Sequence, residues 1–331
     1  MRQWHSVAAE FLSYIRRCKV LLRLLLLFCV VSSSGCAWLD AKQRHIIYRP
    51  TLGIPADFAG LRANDERYFV TVPSASGNTL EAGNALQRVE MWWLPHADKN
   101  APTLLYFHGT FRNLFQNMRK INALREAGFA VLALEYRGWG LSTPITPSEQ
   151  TILQDADTAW AELQRREPSA KRRVIYGHSM GSGVAVDLAS RLRHRLDYSA
   201  LILESALTSF IDVARETGLF AWFIAHFNSE RFASLEKMAR VQAPLLMIHG
   251  NADTTIPMRL GAKLFALANP PKQWLTIEGG AHSDLDQVGH AQYQAKLQSF
   301  MQEYVLEPAP GFRNTDGFIP MPKPVSAGGG Q

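Results

Sequence analysis

The sequence has few cysteines, and all of them lie near its N-terminus. Cys18, Cys29 and Cys36 are the only cysteines among 331 residues. The chain after Cys36 therefore has no thiol with which to form an internal disulfide or a thiolate metal site. The N-terminal apolar run, residues 20–31, has twelve positions, is interrupted by Arg23 and is short for a helix that spans a bilayer.

The excess of positive charge is modest and is concentrated in the first 35 residues. The chain has 35 Lys and Arg against 29 Asp and Glu, and residues 1–35 hold five of the former and one of the latter. The remainder is nearly neutral and has no basic stripe with interleaved aromatics, which argues against a nucleic-acid partner. With 47% hydrophobic and 19% charged residues, the composition is that of a globular protein.

The N-terminal segment resembles a lipoprotein signal peptide. A basic region at residues 16–19 precedes the apolar run, and a serine-rich stretch ending in Ser-Gly-Cys36 follows it. This ending is similar to a bacterial lipobox, although Ser33 stands where that pattern usually has Leu. The resemblance implies that residues 1–35 are removed and that Cys36 is lipidated, and Ala37 after it implies an outer-membrane lipoprotein facing the periplasm. The alternative is an uncleaved N-terminal anchor in the inner membrane.

The rest of the chain divides into three segments. Residues 36–64 lack clear periodicity and predict a linker, and residues 307–331 are rich in proline and glycine and predict a disordered tail. Residues 65–306 alternate short apolar runs with helical patterns, which predicts one α/β domain with a mostly parallel, doubly wound sheet of about eight strands. Residues 206–242 do not fit a simple crossover and predict a small helical cap, the alternative being a longer connecting helix packed on the core.

The pattern of apolar residues locates the individual elements. The predicted strands are Tyr68–Val72, Val89–Leu94, Thr103–Phe107, Phe129–Glu135, Arg173–Tyr176, Ala200–Leu203, Leu245–Ile248 and Gln273–Ile277. The predicted helices are Leu114–Ala127, Ser148–Arg166, Gly181–Arg193, Met258–Ala268 and Leu285–Tyr304. For the second helix, the sequence predicts Thr146 as N-cap, Pro147 as the first helical residue and Glu149 as the partner that closes a capping box.

Ser179 lies at the centre of the stretch Gly177-His178-Ser179-Met180-Gly181, between a predicted strand and a predicted helix. A sharp strand-to-helix turn needs glycines two positions on either side of its centre, and it exposes the central hydroxyl above the sheet. We therefore predict that Ser179 is a nucleophile, the alternative being a structural turn with an idle serine.

A serine hydroxyl is a poor nucleophile without a base, and in this kind of site an acid and then a histidine follow the serine along the chain. Asp253 follows one predicted strand and His282 follows the next, so both are expected at the carboxyl edge of the sheet. We predict Asp253 as the acid and His282 as the base. The alternatives are a plain loop role for each residue, Glu204 as the acid and His290 as the base.

An oxyanion hole needs two N–H donors aimed at the point where negative charge develops. Met180, directly after the nucleophile, is predicted to supply one of them. The loop His-Gly-Thr110, which follows a predicted strand, is expected to supply the other, with Thr110 as the first choice and Phe111 as the second. His178 and His249 are expected to pack beside the site.

The order of these motifs resembles the α/β-hydrolase superfamily over residues 65–305. The His-Gly loop comes first, then Glu-Tyr-Arg-Gly-Trp-Gly-Leu-Ser at 135–142, then the Ser179 turn and the two later loops. Within the superfamily the chain is similar to the small-capped, membrane-associated branch that includes acyl-protein thioesterases and relatives of prolyl-oligopeptidase-like hydrolases. In that branch Asn often stands at the position of Thr110.

The resemblance implies an α/β-hydrolase fold and a serine hydrolase that cleaves esters or thioesters. The expected partner is a small-molecule or acylated substrate, with no metal and no organic cofactor. Two alternatives stay open. One is a peptidase or amidase with the same three residues, and the other is a non-catalytic envelope lipoprotein that uses the fold as a binding module.

Overall fold

The computed structural model describes residues 40–73, 81–82, 85–218 and 230–306. The chain divides after Ile47 into a short N-terminal unit and one unit of residues 48–331. Residues 40–48, within the segment predicted as a linker, are helical. In the described part of the chain, no helix is both long enough and apolar enough to cross a membrane. The predictions for the signal peptide, for Cys36 and for the C-terminal tail lie outside the described residues.

One eight-stranded sheet forms the centre of the larger unit. The described strands are β1 (Glu66–Thr71), β2 (Glu81–Ala82), β3 (Ala85–Leu86), β4 (Arg88–Leu94), β5 (Thr103–Phe107), β6 (Ala130–Glu135), β7 (Arg173–His178), β8 (Ala200–Glu204), β9 (Leu245–Gly250) and β10 (Lys272–Ile277). The strand order in the sheet is β1-β4-β6-β5-β7-β8-β9-β10, while β2 and β3 pair only with each other. Within the eight-stranded sheet, the pairs β1–β4 and β4–β6 are antiparallel and the other pairs are parallel, which confirms the predicted fold class.

Helices cover both faces of the sheet. They are α1 (Leu114–Glu126), α2 (Glu149–Arg166), α3 (Met180–Arg191), α4 (Phe210–Thr217), α5 (Ser234–Met238), α6 (Met258–Leu267), α7 (Leu285–Val288) and α8 (His290–Tyr304). Side chains of a strand alternate between faces. Leu104 and Tyr106 of β5 accordingly join a core cluster with residues of α1 and α8, such as Leu124 and Phe300. All five residues of β5 are buried, as expected for a strand covered on both sides.

The predicted start of α2 is wrong by two residues. The N-cap is Ser148, not Thr146, and its hydroxyl accepts the N–H of Thr151, whose side chain completes the capping box. Pro147 lies outside the helix, and its ring packs closely against Gly138. A Cβ atom at Gly138 would be only 2.7 Å from that ring. Glu149 closes no box, because its carboxylate accepts the backbone N–H groups at 231 and 232 instead, at 2.7 and 3.0 Å.

The helix predicted from Leu285 to Tyr304 is two helices, α7 and α8, that meet at Gly289. A Cβ at Gly289 would lie 2.6 Å from the Cδ1 atom of Ile277, at the end of β10. The two helices therefore meet at a position where the lack of a side chain allows the chain to pack closely on the strand.

The predicted cap is described only in part. Within residues 206–242, α4 and α5 are present, and residues 219–229 between them lie outside the described residues. The apolar run Leu219–Ile224, which carried the cap prediction, belongs to that part.

Candidate active site

Ser179 occupies a sharp turn between β7 and α3. Its φ of +56° lies in the left-handed region, which a non-glycine residue adopts rarely and at a cost in strain. A Cβ at Gly177 would overlap the backbone of Gly181, and one at Gly181 would overlap the backbone of Phe107. Glycine is therefore required at both positions, for the reason that the sequence pattern suggested.

The three residues predicted to act together are in contact. The Nε2 atom of His282 lies 2.9 Å from the Oγ atom of Ser179, and its Nδ1 atom lies 2.8 Å from the Oδ2 atom of Asp253. Asp253 follows β9 and His282 follows β10, so both lie at the carboxyl edge of the sheet. This is the arrangement that a nucleophile, its base and a group that orients the base require.

Asp253 is held as a carboxylate. Its Oδ1 atom accepts the N–H groups of Thr255 and Ile256, at 2.9 and 2.8 Å. Burial alone would raise the pKa of Asp253, but hydrogen bonds from His249 and His282 outweigh burial and lower that pKa below its usual range. The side chain therefore carries a negative charge at neutral pH and stabilises a positive charge on the imidazole beside it.

Two side chains hold the backbone of the His282 loop. The carbonyl oxygen of His282 accepts the Nε2–H of His178 at 2.9 Å and the hydroxyl of Ser205 at 3.1 Å. Burial, followed by the positive charge of Lys120, lowers the pKa of His178 to about 3. His178 is thus neutral at physiological pH and acts here as a hydrogen-bond donor. His249, also expected to pack beside the site, is fully buried, with Nε2 2.8 Å from the carbonyl oxygen of Ile256.

The predicted oxyanion donors have backbone N–H groups available for a substrate. Met180 is the first residue of α3, where an N–H has no partner within the helix. The N–H of Thr110 makes no hydrogen bond to another described residue, whereas the N–H of Phe111 donates to the carbonyl of Tyr48 at 3.3 Å. Between the two candidates for the second donor, the geometry favours Thr110.

The loop that carries Thr110 lies against Ser179. A Cβ on Gly109 would be 2.9 Å from the Cβ of Ser179, so glycine is what allows this approach. Gly109, Thr110, Ser179 and His282 line one cleft of about 600 Å³. Thr110, Ser179 and His282, predicted from separate parts of the sequence, therefore border a common space.

The two alternative site residues have other partners. Glu204 is fully buried and accepts the hydroxyls of Tyr176 and Tyr293, at 2.6 and 2.8 Å, together with the ammonium of Lys120. His290 lies on α8, and its Nε2 atom is 3.1 Å from a carboxylate oxygen of the exposed Glu126. The backbone carbonyl of Glu204 accepts the N–H of Ser179 at 3.0 Å, but neither the Glu204 carboxylate nor the His290 imidazole makes a hydrogen bond with the side chain of Ser179, His282 or Asp253.

A buried group of charges that sequence reasoning missed anchors the His282 loop to α1. Lys120 forms ion pairs with both Glu204 and Asp286, and its Nζ atom lies 3.3 Å from the Oδ1 atom of Asp286. Arg119 donates to Asp286 at 3.0 Å and to the carbonyl of Ser283 at 2.6 Å. Lys120 stands in an ordinary helical pattern, where a lysine normally indicates a solvent-facing position, so the sequence held no signal for this role.

These charges predict a pH-dependent loss of stability in Glu204→Gln. Burial opposes ionisation of Glu204, but Lys120 outweighs burial and lowers the pKa of that carboxyl to about 2, from an ordinary value of 4.5. A lowered pKa contributes stability that is present above pH 4.5 and is lost as the pH falls toward 2. We expect Glu204→Gln to lose roughly 3 kcal/mol of unfolding free energy at pH 7, because Lys120 loses a buried counter-ion.

Urea unfolding at pH 7 and at pH 4 measures this effect. The deficit of Glu204→Gln relative to the wild type should shrink at the lower pH. Glu126→Gln, which changes an exposed carboxylate, is the matched control and should alter stability by less than about 0.5 kcal/mol at either pH. A deficit that is independent of pH would show that the ionised form of Glu204 contributes nothing.

Within the described residues, no group of three or more His, Cys, Asp and Glu side chains is arranged to hold a metal ion.

Comparison with known proteins places this chain in a family. A family model described as serine aminopeptidase, S33, matches residues 98–234. Alpha/beta hydrolase domain-containing protein 17B of Xenopus laevis is 32% identical over 206 residues, which cover 62% of this chain and 67% of that protein. The chain belongs to the α/β-hydrolase superfamily. The family and its relatives support assignment of the chain as a hydrolase.

Two further proteins are similar to this chain. Over 207 residues, this α/β-hydrolase is 33% identical to lysophosphatidylserine lipase ABHD12 of Rattus norvegicus. The matched region is 58% of this chain and 51% of that protein. The chain therefore spans about half the length of this relative. The structure of the esterase Pf2001 of Pyrococcus furiosus superposes with a TM-score of 0.58 over 76% of this chain and 99% of that one, at 18% identity, a likeness of fold.

Proposed function

We propose that this α/β-hydrolase is a serine hydrolase that cleaves carboxylic esters or thioesters. The observation that carries the proposal is the hydrogen-bonded series from Asp253 through His282 to Ser179, with Ser179 facing the 600 Å³ cleft. The names of two similar proteins, a lysophosphatidylserine lipase and an esterase, agree with ester hydrolysis.

In the acylation step, the Oγ atom of Ser179 attacks the acyl carbonyl while its proton passes to the Nε2 atom of His282. The tetrahedral intermediate then collapses, the bond to the leaving group breaks, and His282 returns the proton to that group. Water attacks the acyl-enzyme in the same way and releases the carboxylic acid and free Ser179. Asp253 keeps the imidazole in the required tautomer and stabilises its cationic form.

The backbone N–H groups of Thr110 and Met180 bind the oxyanion of each tetrahedral intermediate. Loss of one such donor costs roughly 3 kcal/mol of transition-state stabilisation in other enzymes. Both are backbone donors, so the preorganisation depends on the Ser179 turn and on the close approach of Gly109, not on particular side chains.

A peptidase or amidase is the second candidate function, because the family model that matches the chain carries the name of a serine aminopeptidase. The same three residues would perform that reaction, with an amine as the leaving group. A 4-nitrophenyl ester series and aminoacyl 4-nitroanilides separate the two functions. Faster hydrolysis of the anilides than of every ester would reject the esterase proposal in favour of the peptidase.

A fluorophosphonate probe tests for a reactive serine independently of the substrate. The probe should label the wild-type protein and leave the Ser179→Ala variant unlabelled. Absence of labelling in the wild type, together with inactivity on every ester and anilide, would favour the non-catalytic binding module.

We also propose that the chain is an outer-membrane lipoprotein anchored through Cys36. A single acyl chain holds a protein to a membrane only weakly, whereas several chains hold it stably, so a triacylated Cys36 would keep the hydrolase at the membrane. Cys36→Ser should block both processing and lipid attachment, and the precursor should keep Met1. Mass spectrometry of the mature N-terminus is the measurement. An intact Met1 in the wild type would support the inner-membrane anchor instead.

A further inference from the structure

Two clefts, one of which contains Ser179, share two arginines in their walls. The first is the cleft of about 600 Å³ that contains Ser179. The second, of about 480 Å³, has Phe58 and Phe115 among its apolar walls. Arg112 and Arg119 border both clefts, so a substrate that extends from one cleft into the other passes these two side chains.

The guanidinium of Arg112 is exposed and has no hydrogen bond or ion pair with another described residue. Its backbone is held in place, because its carbonyl accepts an N–H of Asn117 at 3.3 Å. Arg119 uses two of its five N–H donors on Asp286 and Ser283, and its side chain remains 39% exposed. Both arginines therefore have donors left for a ligand.

None of the aspartates that border the clefts or pair with Arg119 forms an ion pair with Arg112. Asp286 is ion-paired to Arg119. Asp284 borders the first cleft and accepts the N–H of Ala281 at 2.7 Å, while Asp57 borders the second cleft. Neither Asp57 nor Asp284 forms an ion pair with Arg112, which borders both clefts.

We propose that Arg112, assisted by Arg119, binds a phosphate group on the alcohol side of the substrate ester. The inference rests on the proposed ester hydrolysis and names its substrate class. A guanidinium offers paired N–H donors whose spacing matches two phosphate oxygens, and such charge-assisted hydrogen bonds are stronger than neutral ones. The acyl side of a fatty ester is hydrocarbon, so a charged group near Ser179 belongs to the leaving alcohol. The second cleft then receives the remainder of that alcohol.

A pair of substrates that differ only by the phosphate tests this proposal. A 1-monoacylglycerol and the 1-acylglycerol 3-phosphate with the same acyl chain are compared by kcat/KM, in the wild type and in Arg112→Gln. We define the preference as kcat/KM for the phosphate substrate divided by kcat/KM for the neutral one. Arg112→Gln should lower this ratio by roughly tenfold, mainly by raising KM for the phosphate substrate. Arg240→Gln removes the charge of an exposed arginine that borders neither cleft, and it should leave the ratio unchanged.

A ratio unaffected by Arg112→Gln, or lowered equally by Arg240→Gln, would overturn the proposal. Calorimetry on the Ser179→Ala protein separates this outcome from a failure of the proposed reaction, because it needs no turnover. Glycerol 3-phosphate should bind at least several-fold more tightly than inorganic phosphate, and Arg112→Gln in that background should weaken its binding. Equal binding of the two ligands would indicate a site for free phosphate and reject the phosphoester. Absence of ester turnover in the wild type rejects the reaction itself.

Discussion

Ser179→Ala should abolish ester hydrolysis while the protein remains folded. The Ser179 hydroxyl is 2.9 Å from His282, and its removal takes away the atom that would form the acyl-enzyme. Loss of the nucleophile in a site of this kind costs about 10⁶ in kcat. Initial rates with a short-chain 4-nitrophenyl ester, with protein purified from a host strain whose own esterases are accounted for, are the measurement.

The fold should tolerate this change, because the turn depends on Gly177 and Gly181 and not on the hydroxyl. Thermal unfolding followed by circular dichroism should show Ser179→Ala close to the wild type. Ser190→Ala is the matched control: it lies on α3, and its hydroxyl donates only to the carbonyl of Asp187 at 2.8 Å. Retention of more than a few per cent of wild-type kcat in Ser179→Ala, with near-normal activity in Ser190→Ala as well, would reject Ser179 as the nucleophile.

Short-range signals allowed much of the fold to be predicted. Buried parallel strands are continuous apolar runs, and β5 has the predicted bounds, Thr103–Phe107. The Ser179 turn was also predictable, because its steric requirement acts between residues two positions apart. The start of α2 was not predictable in the same way, since Thr146 and Ser148 are both good N-cap residues. In the structure it is the hydroxyl of Ser148 that accepts the N–H of Thr151.

Long-range contacts account for what the sequence could not predict. Lys120 pairs with Glu204 and Asp286, which lie 84 and 166 positions later in the sequence. Nothing in the sequence around Lys120 indicates that its side chain is buried. The donors to the His282 carbonyl are likewise distant, with His178 separated from it by 104 positions. Such pairs depend on how the sheet brings its loops together, which a pattern of local periodicity does not contain.

Asp253→Asn should also impair ester hydrolysis severely, although less than Ser179→Ala does. The amide cannot stabilise a cationic imidazole, and an Nδ2–H donor facing the Nδ1 atom of His282 would favour the wrong tautomer. A change of this kind lowers kcat by about 10⁴ in the well-studied serine protease example. His282→Ala should be at least as severe. Steady-state kinetics with the same chromogenic ester give both values, and Asp157→Asn, at an exposed carboxylate, is the matched control.

Two further variants decide whether Asp253 is the acid and whether it acts with Ser179. The double variant Ser179→Ala, Asp253→Asn should be almost no slower than Ser179→Ala alone, because residues that act as a unit are not additive. Glu204→Gln should lose stability through Lys120, yet its folded fraction should keep a kcat within about tenfold of the wild type, since Glu204 makes no hydrogen bond to His282. A mild effect of Asp253→Asn combined with a kcat loss near 10⁴ in folded Glu204→Gln would assign the acid to Glu204. The contacts favour Asp253, because its Oδ2 atom is the one that lies 2.8 Å from the imidazole of His282.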